Sequence, residues 1–413
     1  MTEAPAREGL LRGSRDFRRL LLAGVISQTG DWVVSTGLAF YVYDLTGSTL
    51  SSAITLLVAR LPDVVLGSVA GVLADRWDRR RLLVGADLLL AFGLLPLLLV
   101  RDPSQMWIVY AVALWTGVLS TLPAPAQKAL IPQLVPESQL VRANALHGQS
   151  GEVARLVGAM AGGIAVSAGG LTAVVLLDVA SFAISAALQA GLRVPGRPPA
   201  PVTTVGGQWI DGLRMAARHR GVRLLVAYMM ITGLGEGIFG ALAAPFVADV
   251  LGGGGDAYGL FLSVQAVGGI AGGLVVAVYP GRAAPGPLLG GATIVFGLLD
   301  LALFTYPLAV ASFWPALVLI GLAGIPGAAM TAAFTTLAQG AGGEERRGGV
   351  FGLLGSAHAG TALLGTALAG VLAGLLAGSI GGAAGIVVTL CVHAGGLLAA
   401  GLLTLTLMRR PHG

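Results

Sequence analysis

The sequence predicts an all-α integral membrane protein with twelve transmembrane helices in two six-helix halves, and composition, apolar windows and charge placement each point there. Hydrophobic residues make up 55% of the 413 and charged residues only 11%, against about 25% charge in soluble domains; the mean hydropathy is +0.84. A helical span takes roughly 20 apolar residues. Windows of that kind occur near 17–43, 50–74, 82–100, 105–127, 144–167, 171–192, 222–248, 257–279, 287–306, 313–338, 349–377 and 382–408, which leaves no stretch for a soluble domain of ordinary size. All of the 25 Lys and Arg except Arg60, Arg101 and Arg155 fall on the termini, on alternate connections or on the first three residues of the window that follows one of these. Basic residues beside spans stay on the cytoplasmic side, so the chain is expected in the cell (cytoplasmic) membrane with both termini in the cytoplasm. The opposite side carries Arg101 and the acids Asp44, Asp102, Asp249 and Asp256.

Taken in order, Arg7, Arg12 and Arg15 precede an apolar run from Phe17. That run is too long for the 7–15-residue core of a signal peptide, so the N-terminus reads as a mature cytoplasmic tail. Between the second and third spans, Gly71 to Arg81 holds Arg76, Arg79, Arg80 and Arg81. The longest connection, Arg193 to Gly221, contains Pro195, Pro198, Pro199 and Pro201 and then a basic amphipathic stretch from Trp209. It divides the chain into a half over 1–192, a cytoplasmic linker over 193–221 and a half over 222–413. At a constant offset of 205, Gly30-Asp31 pairs with Gly235-Glu236, Asp44 with Asp249, Gly47 with Gly252, Gly67 with Gly272 and Gly85 with Gly290. Such pairing fits a transporter built from two related halves with its site near the midplane between them. Gly67-x-x-x-Gly71, Gly158-x-x-x-Gly162 and the run Gly268 to Gly273 let helices approach closely.

Several function classes are excluded by what the chain lacks. The pI near 9.8 comes from arginines spread over membrane-flanking segments, an orientation signal and not a nucleic-acid surface. One cysteine, Cys391, allows no internal disulfide. No phosphate loop, metal-ligand spacing or Gly-x-Ser-x-Gly elbow occurs. The expectation is therefore no enzyme, no cofactor and no metal. A small-molecule substrate, protons and the lipid bilayer are the expected partners, and a monomer the expected working unit.

Nine acids and arginines fall inside predicted spans away from their first residues: Asp31, Arg60, Asp63, Asp87, Glu152, Arg155, Asp178, Glu236 and Asp300. A charge at the centre of a lone helix costs about 2.5–3.5 kcal/mol, so each must be paired, neutral or facing a wet cavity. Arg60 with Asp63 and Glu152 with Arg155 are three residues apart, on one helix face, and can neutralise each other. Asp31, Asp87, Asp178, Glu236 and Asp300 remain as acids able to carry a proton. Asp31 and Glu236, each about fourteen residues into the first span of its half, lead the candidates for substrate or proton binding; Asp178, Glu152 and Arg155 complete the set. A buried acid held neutral against a neighbouring helix is the alternative for each carboxylate, and a static bridge for Glu152 and Arg155. His358 and His393 lie on apolar faces and read as structurally satisfied histidines, with a proton relay as the alternative.

Gly71, Asp75, Arg76, Arg79 and Arg80 match the loop signature Gly-x-x-x-Asp-Arg-x-Gly-Arg-Arg/Lys, with Asp78 where the second glycine stands. On these residues the chain resembles the major facilitator superfamily over essentially its whole length. Ala124 to Pro136, Leu140 to Ala145 with Arg142 and Asn144, and Asp178 to Phe182 are similar to the branch of macrolide-efflux proteins and enterobactin exporters. The span-four arginine motif of many proton-driven drug exporters is not visible, and Gly158 to Gly163 stands where the antiporter motif Gly-Pro-x-x-Gly-Gly would fall. The resemblance implies secondary active, proton-coupled efflux of a hydrophobic or amphipathic small molecule by alternating access. It also implies that the Gly71, Asp75, Arg76, Arg79 and Arg80 loop gates the switch, its arginines bonding carboxylates or helix-end carbonyls. The connection after span eight keeps Arg282 but no acid, so Asp75→Asn is expected to impair turnover more than Arg282→Ala. A purely topogenic arginine cluster is the alternative to a gate. Export of a siderophore or another endogenous metabolite, import of a nutrient, and a non-transporting sensor or scaffold on the same fold are the other readings.

Overall fold

A computed structural model describes residues 14–136, 139–193, 219–278, 284–340 and 343–408, and the described residues are overwhelmingly helical. The helices are α1 (Arg15–Thr46), α2 (Thr49–Arg76), α3 (Arg79–Leu94, extended by a 3-10 turn Leu95–Leu99), α4 (Met106–Ser120), α5 (Pro123–Leu134) and α6 (Leu140–Ala190). There follow α7 (Arg220–Pro245, extended by a π turn Phe246–Val250), α8 (Gly255–Val278), α9 (Pro285–Thr305), α10 (Trp314–Gly340), α11 (Gly343–Ile380) and α12 (Gly382–Met408). Nine helices among the described residues are long and apolar enough to cross a membrane. With all backbone bonds satisfied inside each helix, this is the architecture lipid permits.

α6 is too long for one crossing. Its 51 residues would extend about 75 Å at 1.5 Å per residue, more than twice the roughly 30 Å hydrocarbon core. Gly170, at φ 59° and ψ −157°, breaks the helix in a conformation closed to side chains with a Cβ. The two limbs fold back on α1: a methyl on Gly37 would strike Val174 on one limb and lie 3.3 Å from the Gly162 carbonyl on the other. These limbs coincide with the windows expected at 144–167 and 171–192.

Local chemistry sets the helix ends. Ser14 caps α1 by accepting from Phe17 N at 3.2 Å, and its hydroxyl donates to the Leu134 carbonyl at 2.8 Å. Asp78 caps α3 by accepting from Arg81 N at 2.9 Å, which explains an acid at the position where the loop signature has glycine. α1 and the α7 extension stop just before left-handed glycines, Gly47 at φ 60° and Gly252 at φ 67°, which are partners at the 205-residue offset. Gly71, Asp75 and Arg76 lie on the end of α2 with their side chains outside the described residues. Residues 194–218 of the linker and Arg282 are also outside them.

The helix ends nearest both termini, where α1 begins and α12 finishes, form one end of the molecule; the links α1–α2 and α7–α8 form the opposite, far end. Joins between the two groups of helices, α1 to α6 and α7 to α12, gather toward the far end. Tyr43 of α1 donates a hydrogen bond to Asp249, and Phe40 stacks on Tyr258 at 6.4 Å. The Asp256 N–H donates to Ser167 Oγ at 2.9 Å, and Ser263 Oγ donates to the Leu156 carbonyl at 3.0 Å. Gly163 meets Gly255 and Gly259 backbone to backbone, and Gly370 of α11 lies on Leu50 and Ala53 of α2. Beneath these joins a buried apolar cluster runs through Phe246, Phe261, Leu303, Phe304 and Leu390.

Candidate functional site

Toward the termini, charged side chains midway along the helices are accessible. Side-chain exposure is 70% for Glu236, 62% for Arg60 and 51% for Glu152, and Asp31 is exposed as well. Arg60 of α2 acts electrostatically on Glu236 of α7, so both look into one cleft between the two groups of helices. A charged side chain in such a wet cleft avoids the cost of sitting in hydrocarbon.

The α1–α7 side of this cleft is built from two similar arrangements. Gly30 presses α1 onto the second limb of α6, where a methyl would collide with Asp178 and Ser181; Asp31 follows it and is close enough to Asp87 and Asp178 for their charges to interact. Gly235 presses α7 onto α12, where a methyl would collide with His393; Glu236 follows it. Each group of helices therefore carries a glycine against its last helix and an acid beside that glycine. The offset pairing of Gly30-Asp31 with Gly235-Glu236 is an equivalence of packing.

Hydrogen bonds fix the buried acids. Ser181 Oγ donates to Asp178 Oδ1 at 2.9 Å, and Gln189 Nε2 donates to Asp87 Oδ2 at 2.9 Å and to Ser185 Oγ at 2.7 Å. Both acids are buried. Glu152 and Arg155 form the expected same-face bridge, with Arg155 Nη2 at 2.8 Å, and Arg155 extends to Gly269 of α8. Arg60 and Asp63 approach to 3.9 Å on an open surface, where an ion pair contributes little.

The histidines supply partners for two of the acids. Glu236 does not stand alone: His358 Nε2 of α11 lies 2.9 Å from its Oε2. Asp300 likewise meets His393 Nε2 of α12 at 3.0 Å. Counting acids against arginines overlooked both pairs, whose members stand 122 and 93 residues apart, a separation no spacing rule detects.

In the loop, Arg80 donates to the Ala190 carbonyl and Arg19 to the Gly191 carbonyl at 2.5 Å. Two cations thus sit on the negative end of the α6 dipole and tie α1 and α3 to it. A pocket of about 450 Å³ between α8, α9 and α10 has apolar walls, including Val275, Leu288, Val295 and Ile325, and no ionisable group lines it.

A family model described as transmembrane secretion effector, within the major facilitator superfamily, matches residues 11–412. The chain belongs to the major facilitator superfamily. Macrolide efflux protein A of Streptococcus pyogenes is 28% identical over 165 residues, 40% of this chain and 41% of that protein; the chain thus aligns with less than half of that relative's length. An uncharacterised MFS-type transporter of Mycobacterium tuberculosis is 30% identical over 62% of this chain and 63% of its own. Among solved structures, the nucleoside transporter NupG superposes with a TM-score of 0.79 at 14% identity, covering 95% of this chain and all of that one. A bacterial homologue of the iron transporter ferroportin, in its inward-facing state, gives 0.76 at 16% identity over 98% of this chain and all of its own. The family match establishes the superfamily, and the solved structures share its fold.

Proposed function

We propose that this superfamily member exports a hydrophobic or amphipathic small molecule, macrolide-like in character, across the cytoplasmic membrane in exchange for protons. The observation that carries the reading is the matched pair of accessible acids, Asp31 and Glu236, each beside a close-packed glycine on the first helix of its group. The similarity to macrolide efflux protein A supports the substrate class. The reading takes twelve crossings, halves at 1–192 and 222–413, and a cytoplasmic linker at 193–221.

Arginine placement sets the terminus end in the cytoplasm; the cleft then opens inward and the far-end joins close the outside. Substrate enters beside Asp31, Glu236, Glu152 and Arg155, with Asp178 behind Asp31. Its arrival displaces a proton from an acid, the helix groups rock about the far-end joins, and a proton taken up from outside resets the acid. One proton crossing 100 mV supplies about 2.3 kcal/mol, equivalent to about a fiftyfold substrate gradient. Gly71, Asp75, Arg76, Arg79 and Arg80 gate this motion; Arg80 acts by holding α3 on α6, so the charges that part on switching are those at the end of α2.

The test is flux in vesicles of purified full-length protein, with a labelled macrolide, a ferric siderophore and a nutrient amino acid as probes. Gradient-dependent movement of the macrolide supports the reading. Movement of the siderophore alone, or of no probe while a partner protein is recovered on pull-down, would overturn it.

A further inference from the structure

Two acid–imidazole contacts stand in series in the C-terminal group. The inner one, Asp300 of α9 with His393 of α12, is closed at 3.0 Å with 2% and 7% of the side chains exposed. The outer one, Glu236 of α7 with His358 of α11, is closed at 2.9 Å, and Glu236 opens to the cleft. Gly235 joins them: its backbone lies flush on His393, and the next residue, Glu236, interacts electrostatically with that imidazole. Phe239 and Phe304 wall the inner pair, their rings centred 6.0 and 6.2 Å from the imidazole.

The inner pair is incompletely bonded. Asp300 Oδ1 and His393 Nδ1 are buried with no hydrogen-bond partner among the described residues, although buried polar atoms are ordinarily satisfied. The ionisable groups around it are few: α9 and α10 bring no other, α12 adds Cys391, α7 contributes Glu236, and α11 contributes His358. Tyr228 of α7 is engaged with Thr293 at 3.0 Å, and Arg60 of α2 is near enough for its charge to act on Glu236.

We propose that Asp300 and His393 hold the coupling proton in an occluded site, and that Glu236 and His358 carry it between that site and the cleft. This rests on the proposed proton-coupled export. Loaded, the pair shares one proton between Asp300 Oδ2 and His393 Nε2 and has no net charge. On release that bond breaks, an O–H bond forms at Glu236, and the proton passes through His358 to water; one negative charge stays on the inner pair. In an apolar pocket that charge is costly, so the pair holds its proton until Glu236, open to the cleft, offers the way out. Loading from the other side requires the far-end apolar cluster to part, as alternating access demands.

The experiment uses vesicles of the full-length protein and a labelled macrolide in two modes. With one proton exchanged, a one-unit pH gradient drives up to about tenfold accumulation; exchange of labelled for unlabelled macrolide without a gradient needs no net proton release. Asp300→Asn and His393→Gln are expected to abolish accumulation and leave exchange intact, and the swap of Asp300→His with His393→Asp to restore accumulation. Accumulation surviving in Asp300→Asn, or equal loss of both modes with a lowered melting temperature, overturns the assignment. Infrared difference spectra over a pH step read the pair without any substrate: a carboxyl or imidazolium band absent from Asp300→Asn supports it even if no macrolide moves, in which case the export reading alone falls. A spectrum identical in Asp300→Asn and wild type overturns it.

Discussion

Gly163→Ala tests whether the crossing of α6 and α8 is the closed far-end gate. An alanine methyl there would collide with the Gly255 carbonyl and lie 2.7 Å from Gly259 Cα and 2.8 Å from Gly259 N. Ordinary contact begins near 3.4 Å, so the helices must separate by nearly an ångström, and every obstructing atom is backbone with no rotamer to yield. Overpacking of this kind costs about 1–3 kcal/mol. If the cost falls only on the far-end-closed state, the conformational equilibrium moves toward far-end opening by about 5–150-fold. Ser104, on the α3–α4 link, and Ser312, before α10, are exposed at the far end of opposite groups. Cysteines there, in a Cys391→Ser background, carry spin labels for pulsed electron-resonance distances. The expected result is a new, longer-distance population in Gly163→Ala. Gly259→Ala obstructs the same crossing against Ala159 and Gly163, so the double variant should add little. A distance distribution identical to that of the parent, in a protein of unchanged melting temperature, would refute the gate.

Two further outcomes follow from single hydrogen bonds. Tyr43→Phe removes the tie from α1 to Asp249; its loss should cost about 1 kcal/mol and produce a weaker shift of the same sign in the same spin-label measurement. Asp78→Ala removes the α3 cap and should lower thermal stability by about 1 kcal/mol, measured by melting in detergent, while Asp78→Ser should recover most of it.

Much of the fold could be read in advance because membrane helices are long and their ends are chemically marked. Asp44 with Gly47 and Asp249 with Gly252 announced equivalent turns, and the left-handed backbone at Gly47 and Gly252 is why glycine is there. The small-residue spacing at Gly158 and Gly162 also proved informative: both rest on the α1 backbone, at Thr29 and Val33. The geometry around the candidate residues was legible along single helices, as in the Glu152–Arg155 bridge, and through the repeat, as in the like packing of Gly30 and Gly235. It was not legible across helices. Asp87 finds Gln189 at a separation of 102 residues, and His358 and His393 find their acids only once each helix has its rotation. Helices apolar on nearly every face give little sign of that rotation, because lipid and protein interior solvate the same side chains. Asp78 was legible as a departure from the loop signature, but its reason is local capping, visible only in the backbone.

The most direct test of the central claim is proton-driven macrolide efflux by Asp31→Asn and Glu236→Gln, each expressed at the wild-type level in inverted membrane vesicles. The account predicts that at least one variant, and the double variant in every case, loses gradient-driven accumulation. Full proton-coupled efflux in both single variants and in the double variant would contradict it.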